Sequence, residues 1–115
     1  MPWLLRDDRV LASLEIASTR RDRRRGLLGR DGIEGALLIE GTRSVHTVGM
    51  RFPIDVAHLD ADGVVLRTCT MPRHRLGMPV LRARRVLEAE AGCFARWDLA
   101  PGQVLEVRTE RPAER

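Results

Sequence analysis

No lysine and no tyrosine occur among the 115 residues of this chain, and cysteines, aromatics and long apolar runs are scarce. Without lysine there is no amine for a Schiff base, for pyridoxal phosphate attachment or for a phosphate-binding P-loop. Without tyrosine a phenolic general acid is excluded too. Cys69 and Cys93 are the two cysteines, too few for a disulfide framework, and the expectation is reduced thiols in a cytoplasm. No run approaches the ~18 apolar residues of a membrane span. Arg6, Asp7, Asp8 and Arg9 interrupt the start before a signal-peptide core can form. A cytoplasmic protein without a membrane segment is expected.

What is present is ordinary globular usage, 43% hydrophobic and 31% charged, well away from the composition of disorder. The length fits a single domain spanning residues 1–115, because two cores would leave each half below the roughly 60 residues at which burial becomes marginal. All basic residues are arginine and the net charge is +4. Complete replacement of lysine by arginine reads as genome-wide codon bias toward G and C, so the charge speaks for solubility and non-specific anion attraction rather than for a nucleic-acid function.

Along the chain, Val10, Ala12, Leu14 and Ile16 alternate with their neighbours, the period-two pattern of a strand over 10–17. Thr19 opens a capping box with Asp22, and a short helix is expected to run to about Leu28 and close at Gly29. Short apolar runs at 36–40 and 54–59 predict buried strands. Asp60-Ala61-Asp62-Gly63 supplies turn chemistry between the latter and a strand over 64–71, predicting a hairpin. Pro72, Gly77 and Pro79 mark an irregular loop. A strand over 85–91, a helical turn over 92–99, a Pro101-Gly102 turn and a final strand over 104–109 follow, then a polar tail at 110–115. The fold class expected is α+β: one compact, β-rich domain with a mixed sheet, barrel-like in outline, and two short helices.

The stretch 44–60, S-V-H-T-V-G-M-R-F-P-I-D-V-A-H-L-D, resembles the core signature of an uncharacterised family, domain of unknown function 192. Upstream, T-R-R-D-R-R-R-G-L-L-G-R is similar to that family's helix, and downstream V-L-E-A-E-A-G and A-P-G-Q-V-L are similar to its closing strands. The resemblance covers about Val10 to Val107 and implies a fold without an activity or any site residue. Many members of that family begin with a leader or membrane anchor, from which this chain departs by starting almost directly at the domain.

Pro53 sets its own φ and pushes Phe52 toward an extended conformation, making 50–55 a rigid link between strands. Asp55 shares a strand face with Ala57 and Leu59, so on the inner side its carboxylate needs a partner. Arg51, His46, Thr47 or a backbone amide can supply it. His46, Thr47, Arg51 and Asp55 are therefore the ligand-binding candidates, with Arg51 offering a fork to an anion and His46 titrating near neutrality. The alternative is a structural network that fixes the crossover. His46, His58, His74, Cys69 and Cys93 lack the spacing of metal motifs, so no metal or other cofactor is expected. Arg20, Arg21, Arg23, Arg24 and Arg25 crowd one helix, but Asp22 among them and the shortage of stacking aromatics favour a solvated basic face over a nucleic-acid site. A small non-catalytic binding or interaction domain, with a small-molecule or protein partner, is expected ahead of an enzyme acting on an anionic small molecule near His46, Arg51 and Asp55. Oligomeric state is not encoded in any recognisable pattern.

Overall fold

A computed structural model describes residues 2–110; most of the polar tail expected at 110–115 lies outside the described residues. The chain opens with a hairpin that the sequence did not announce, β1 (Trp3–Arg6) and β2 (Arg9–Ala17). Asp7 and Asp8, which in the sequence only interrupted an apolar run, both take positive φ, 51° and 63°, the geometry of the turns that match strand twist. Helix α1 (Arg20–Arg25) begins as expected, with the Asp22 backbone N–H donating to Thr19 Oγ1 at 3.1 Å. It stops earlier than expected, at Gly26 instead of Gly29, because Gly26 adopts φ 48°, ψ −125°, a conformation closed to residues with a side chain.

Strand β3 (Ala36–Glu40) then pairs parallel with β2. The expected hairpin follows as β4 (Ile54–Leu59) and β5 (Val65–Met71). In its turn the Asp60 carboxylate accepts from the backbone N–H groups of Asp62 and Val64, both at 2.9 Å. Gly63 takes φ +86°, and a Cβ there would fall 2.3 Å from the Leu105 carbonyl oxygen. Strand β6 (Arg85–Glu90), helix α2 (Cys93–Arg96) and the short β7 (Glu106–Arg108) complete the chain.

The seven strands form one sheet in the order β5-β4-β6-β3-β2-β1-β7, antiparallel throughout except between β2 and β3. A closed barrel is not what this sheet makes. Its order has two ends, and all three residues of β7 are used against β1; the start of β5 meets the turn before β7 through an isolated Val64–Val104 bridge and a Gly102 N–H donated to the Val65 carbonyl at 2.8 Å. Both sheet faces are covered, which is why every residue of β4 and all but the last of β3 are buried. One face packs Leu4, Leu14, Leu38, Leu59 and Leu87 against Phe94 of α2. The other packs Leu37, Ile39, Ile54, Val56 and Val86 against Leu27, Met50 and Phe52 from the connecting segments. Burial of each such side chain contributes roughly 1.5–3 kcal/mol.

Candidate functional site

Strand β6 lies at the centre of the sheet, paired with β3 on one side and β4 on the other. Alternation turns Leu87 and Ala89 to the α2 face and Val86 and Glu88 to the face under the β2–β3 crossover. Glu88 sits opposite Leu37 and Val56 and is only 4% exposed. No hydrogen bond or ion pair with any described residue reaches its carboxyl group. Burial pushes that carboxyl up to about 7, because a charge is poorly solvated there and no donor compensates.

The crossover that roofs this face carries α1. None of the helix's own residues is buried, and the segment is anchored by the next apolar residue, Leu27, which is 1% exposed and packs in the same cluster as Ile39 and Met50. Between roof and sheet lies a cavity of about 230 Å³, with Arg23, Arg24 and Arg25 from α1, His46 and Met50 from the β3–β4 connection, and Glu88 from the sheet. The Arg23 guanidinium is partly engaged by the Glu40 carbonyl, at 3.4 Å. The side chains of Arg24 and Arg25 form no hydrogen bond or ion pair with a described residue. A second hollow, about 300 Å³ on the other side of α1, contrasts in its pairing. There Arg30 donates to both oxygens of Glu15, at 2.8 and 3.0 Å, and holds that carboxyl below its ordinary value.

Of the residues singled out in the sequence, His46 lines the Glu88 cavity. It is exposed and bridges Leu76 on the segment running alongside it. Thr47 is fully buried and acts as a clamp. Its hydroxyl donates to the Pro72 carbonyl at 2.6 Å and accepts from the Arg75 N–H at 2.8 Å. Arg51 points to solvent and pairs with exposed Asp31 at 3.0 Å. Asp55 is 3% exposed and accepts from Thr70 Oγ1 at 2.6 Å and from the backbone N–H groups of Gly92 and Phe94 at 2.9 and 3.0 Å. It thereby supplies the cap that Gly92, without a side chain, cannot give α2. A shallow hollow of about 150 Å³ adjoins Asp55, Thr70 and Phe94, on the opposite side of the sheet from His46. The structure thus keeps His46, Arg51 and Asp55 apart.

Among the described residues no group of three or more metal-ligating side chains converges. His74 Nδ1 accepts from the Gly49 N–H at 3.2 Å, Cys93 is buried, and burial raises its thiol pKa. His58 is buried with neither ring nitrogen partnered; burial, reinforced by Arg67, lowers its pKa and favours the neutral ring. Glu88 was missed as a candidate. The available signal was an acid at the middle of the apolar run V-L-E-A-E, on the same strand face as Val86.

The fold and the cleft together define a small α+β domain in which a mixed sheet, covered on both faces, holds a carboxyl group beneath an arginine-rich crossover. The chain belongs to the family domain of unknown function 192, described as an uncharacterised ACR, whose model matches residues 4–107. The fold is shared with a protein of unknown function from Novosphingobium aromaticivorans DSM 12444, at a TM-score of 0.76 and 20% identity over 91% of this chain and 82% of that one. It is also shared with a protein of Sinorhizobium meliloti 1021 described as a candidate transcription regulator, at a TM-score of 0.78 and 23% identity over 92% and 91% of the two chains. No curated protein matches the sequence. Among the described residues no helix is long and apolar enough to cross a membrane.

Proposed function

We propose that this chain is a non-catalytic binding domain that holds a small polar molecule in the cleft between α1 and the sheet, with Glu88 as the principal acceptor. The unpartnered, buried Glu88 carboxyl lining a cavity carries this reading. Buried polar groups ordinarily find partners within the chain, and a group left without one beside a cavity is where a ligand's donor gains most. The three stretches that carry the family resemblance, R-R-R-G-L-L, S-V-H-T-V-G-M and V-L-E-A-E, contribute Arg25, His46 and Glu88 to the same cavity. Free Cys69 and Cys93 fit a reducing cytoplasm.

An enzyme acting on an anionic small molecule is the alternative. The observation in its favour is that His46 and Glu88, two groups able to exchange protons, line one cavity. Arg51 and Asp55 would then support the surrounding structure rather than touch substrate.

Ligand-observed NMR with a library of small polar metabolites, run on the wild-type chain and on Glu88→Leu and Arg51→Ala variants, tests the site. Compounds that bind wild type and Arg51→Ala but not Glu88→Leu are expected. Hits that depend on Arg51 and ignore Glu88 would move the site elsewhere. Turnover of a hit, lost in His46→Ala, would favour the enzyme.

A further inference from the structure

We infer that the cleft takes a small zwitterion, a molecule carrying a protonated amine for Glu88 and an anionic group for Arg24 and Arg25. This rests on the cleft being the binding site. Its basis is that two kinds of unsatisfied charge share one cavity without neutralising each other: Glu88 makes no ion pair, and Arg24 and Arg25 make none. An ionised carboxylate only accepts hydrogen bonds, so its complement is a donor, best a charged one. A guanidinium only donates, in a planar fork that suits carboxylate or phosphate.

A lone anion entering the cavity meets the arginines favourably and Glu88 unfavourably, and a lone cation meets the reverse. A ligand with both signs satisfies both ends at once. The cavity, about 230 Å³, is below the ~300–1,000 Å³ usual for drug-sized molecules. It suits a molecule of amino-acid or aminoalkyl-phosphate size.

Proton linkage follows. The amine binds the ionised form of Glu88, which burial makes scarce below neutrality, so binding expels a proton and tightens as pH rises. The other titratable or charged groups facing Glu88 are Arg23, Arg24 and Arg25 from the roof and His46 from the β3–β4 connection. On the sheet, His58 lies diagonally across on β4 and Glu90 is the next residue on the same face of β6. The arginines keep their charge across this range. Glu90 is occupied by the Ile33 N–H, and burial, with Arg67 nearby, lowers the His58 pKa and favours its neutral ring. Glu88 is then the group to which the pH dependence of binding is assigned.

Amide-detected NMR on the full chain, with β-alanine and O-phosphoethanolamine as zwitterionic probes and ethylamine and inorganic phosphate as the two halves, tests the assignment. A zwitterion should shift Gly26, Leu27 and Glu88 at a concentration about tenfold below either half, the stronger of the two probes telling carboxylate from phosphate. Its affinity should rise roughly tenfold from pH 6 to pH 8. Glu88→Gln should weaken it about tenfold and flatten the pH dependence, while His46→Asn should leave the pH dependence in place. Arg51→Ala should change nothing. Either half binding as tightly as the zwitterion, or zwitterion binding indifferent to Glu88→Gln, overturns the ligand class. Library compounds that bind through Glu88 while all four probes leave the cleft amides unmoved also overturn the class but keep the cleft. If no compound of either set moves those amides, the cleft itself fails as a site. Carbon-detected titration of Glu88 gives a separate check: a carboxyl in the ordinary range would mean that an arginine reaches it in solution, and the zwitterion assignment falls.

Discussion

Asp55 and Glu88 are buried carboxyl groups on adjacent, paired strands, one on each face of the sheet. Asp55 is met by three donors from β5 and the start of α2; Glu88, beneath a helix bearing several arginines, is met by none. Equal burial therefore conceals opposite roles. Where the chain itself supplies the donors, the carboxylate is a fastening, and its removal strands backbone amides. Where the chain withholds them, the carboxyl weakens the fold when ionised, and something outside the chain has reason to bind.

The comparison breaks most sharply at Asp55. Asp55→Ala leaves the Gly92 and Phe94 N–H groups buried or half-buried without their acceptor and uncaps α2, and it should destabilise the protein by about 4 kcal/mol in urea unfolding. Loss of less than about 1 kcal/mol would mean that water replaces the carboxylate.

At Glu88 the effect runs the other way and depends on pH. Its folded value of about 7 lies above the ordinary 4.5, so between those values the folded state binds more protons than the unfolded one. The associated stability is complete below pH 4.5, and declines as pH rises toward and through about 7. The total is of order 3 kcal/mol. Glu88→Gln should remove this slope and leave the variant more stable than wild type by about 1–3 kcal/mol at pH 8. Parallel stability–pH curves for the two proteins would refute a raised Glu88.

The smallest effect is expected at Arg51. Its partner Asp31 is 88% exposed, and Arg51→Ala should change stability by less than about 1 kcal/mol. A larger loss, measured by thermal unfolding, would show that Arg51 belongs with the fastened side of the comparison.

Asp55 stood out in the sequence because it interrupts the apolar run I-D-V-A-H-L, and the need for a partner followed from that alone. The donors did not follow. Gly92 and Phe94 are 37 and 39 residues away along the chain, and only the pairing of β4 with β6 brings them near. Arg51 and His46, closer in sequence, turn elsewhere. The β4–β5 hairpin and the Thr19 cap were legible because their chemistry is local. The first hairpin was not, since Asp7-Asp8 reads equally as a charged interruption and as a turn. Glu88 escaped notice because an acid in a strand is ordinarily solvated, and its burial is created by Leu27 and the β2–β3 crossover rather than by its own neighbours.

That crossover has a mechanical consequence. It leaves β2 at Ala17 and rejoins at Ala36, and these strands lie side by side in register, so the roof of the cleft is a strap stitched to neighbouring seams at both ends. Leu27 pegs its middle into the sheet. Such a strap cannot swing aside as a flap without unpicking central strands. The cavity above Glu88 is therefore edged by side chains, the arginines of α1 and His46 of the β3–β4 connection, set in a frame that the paired strands hold still.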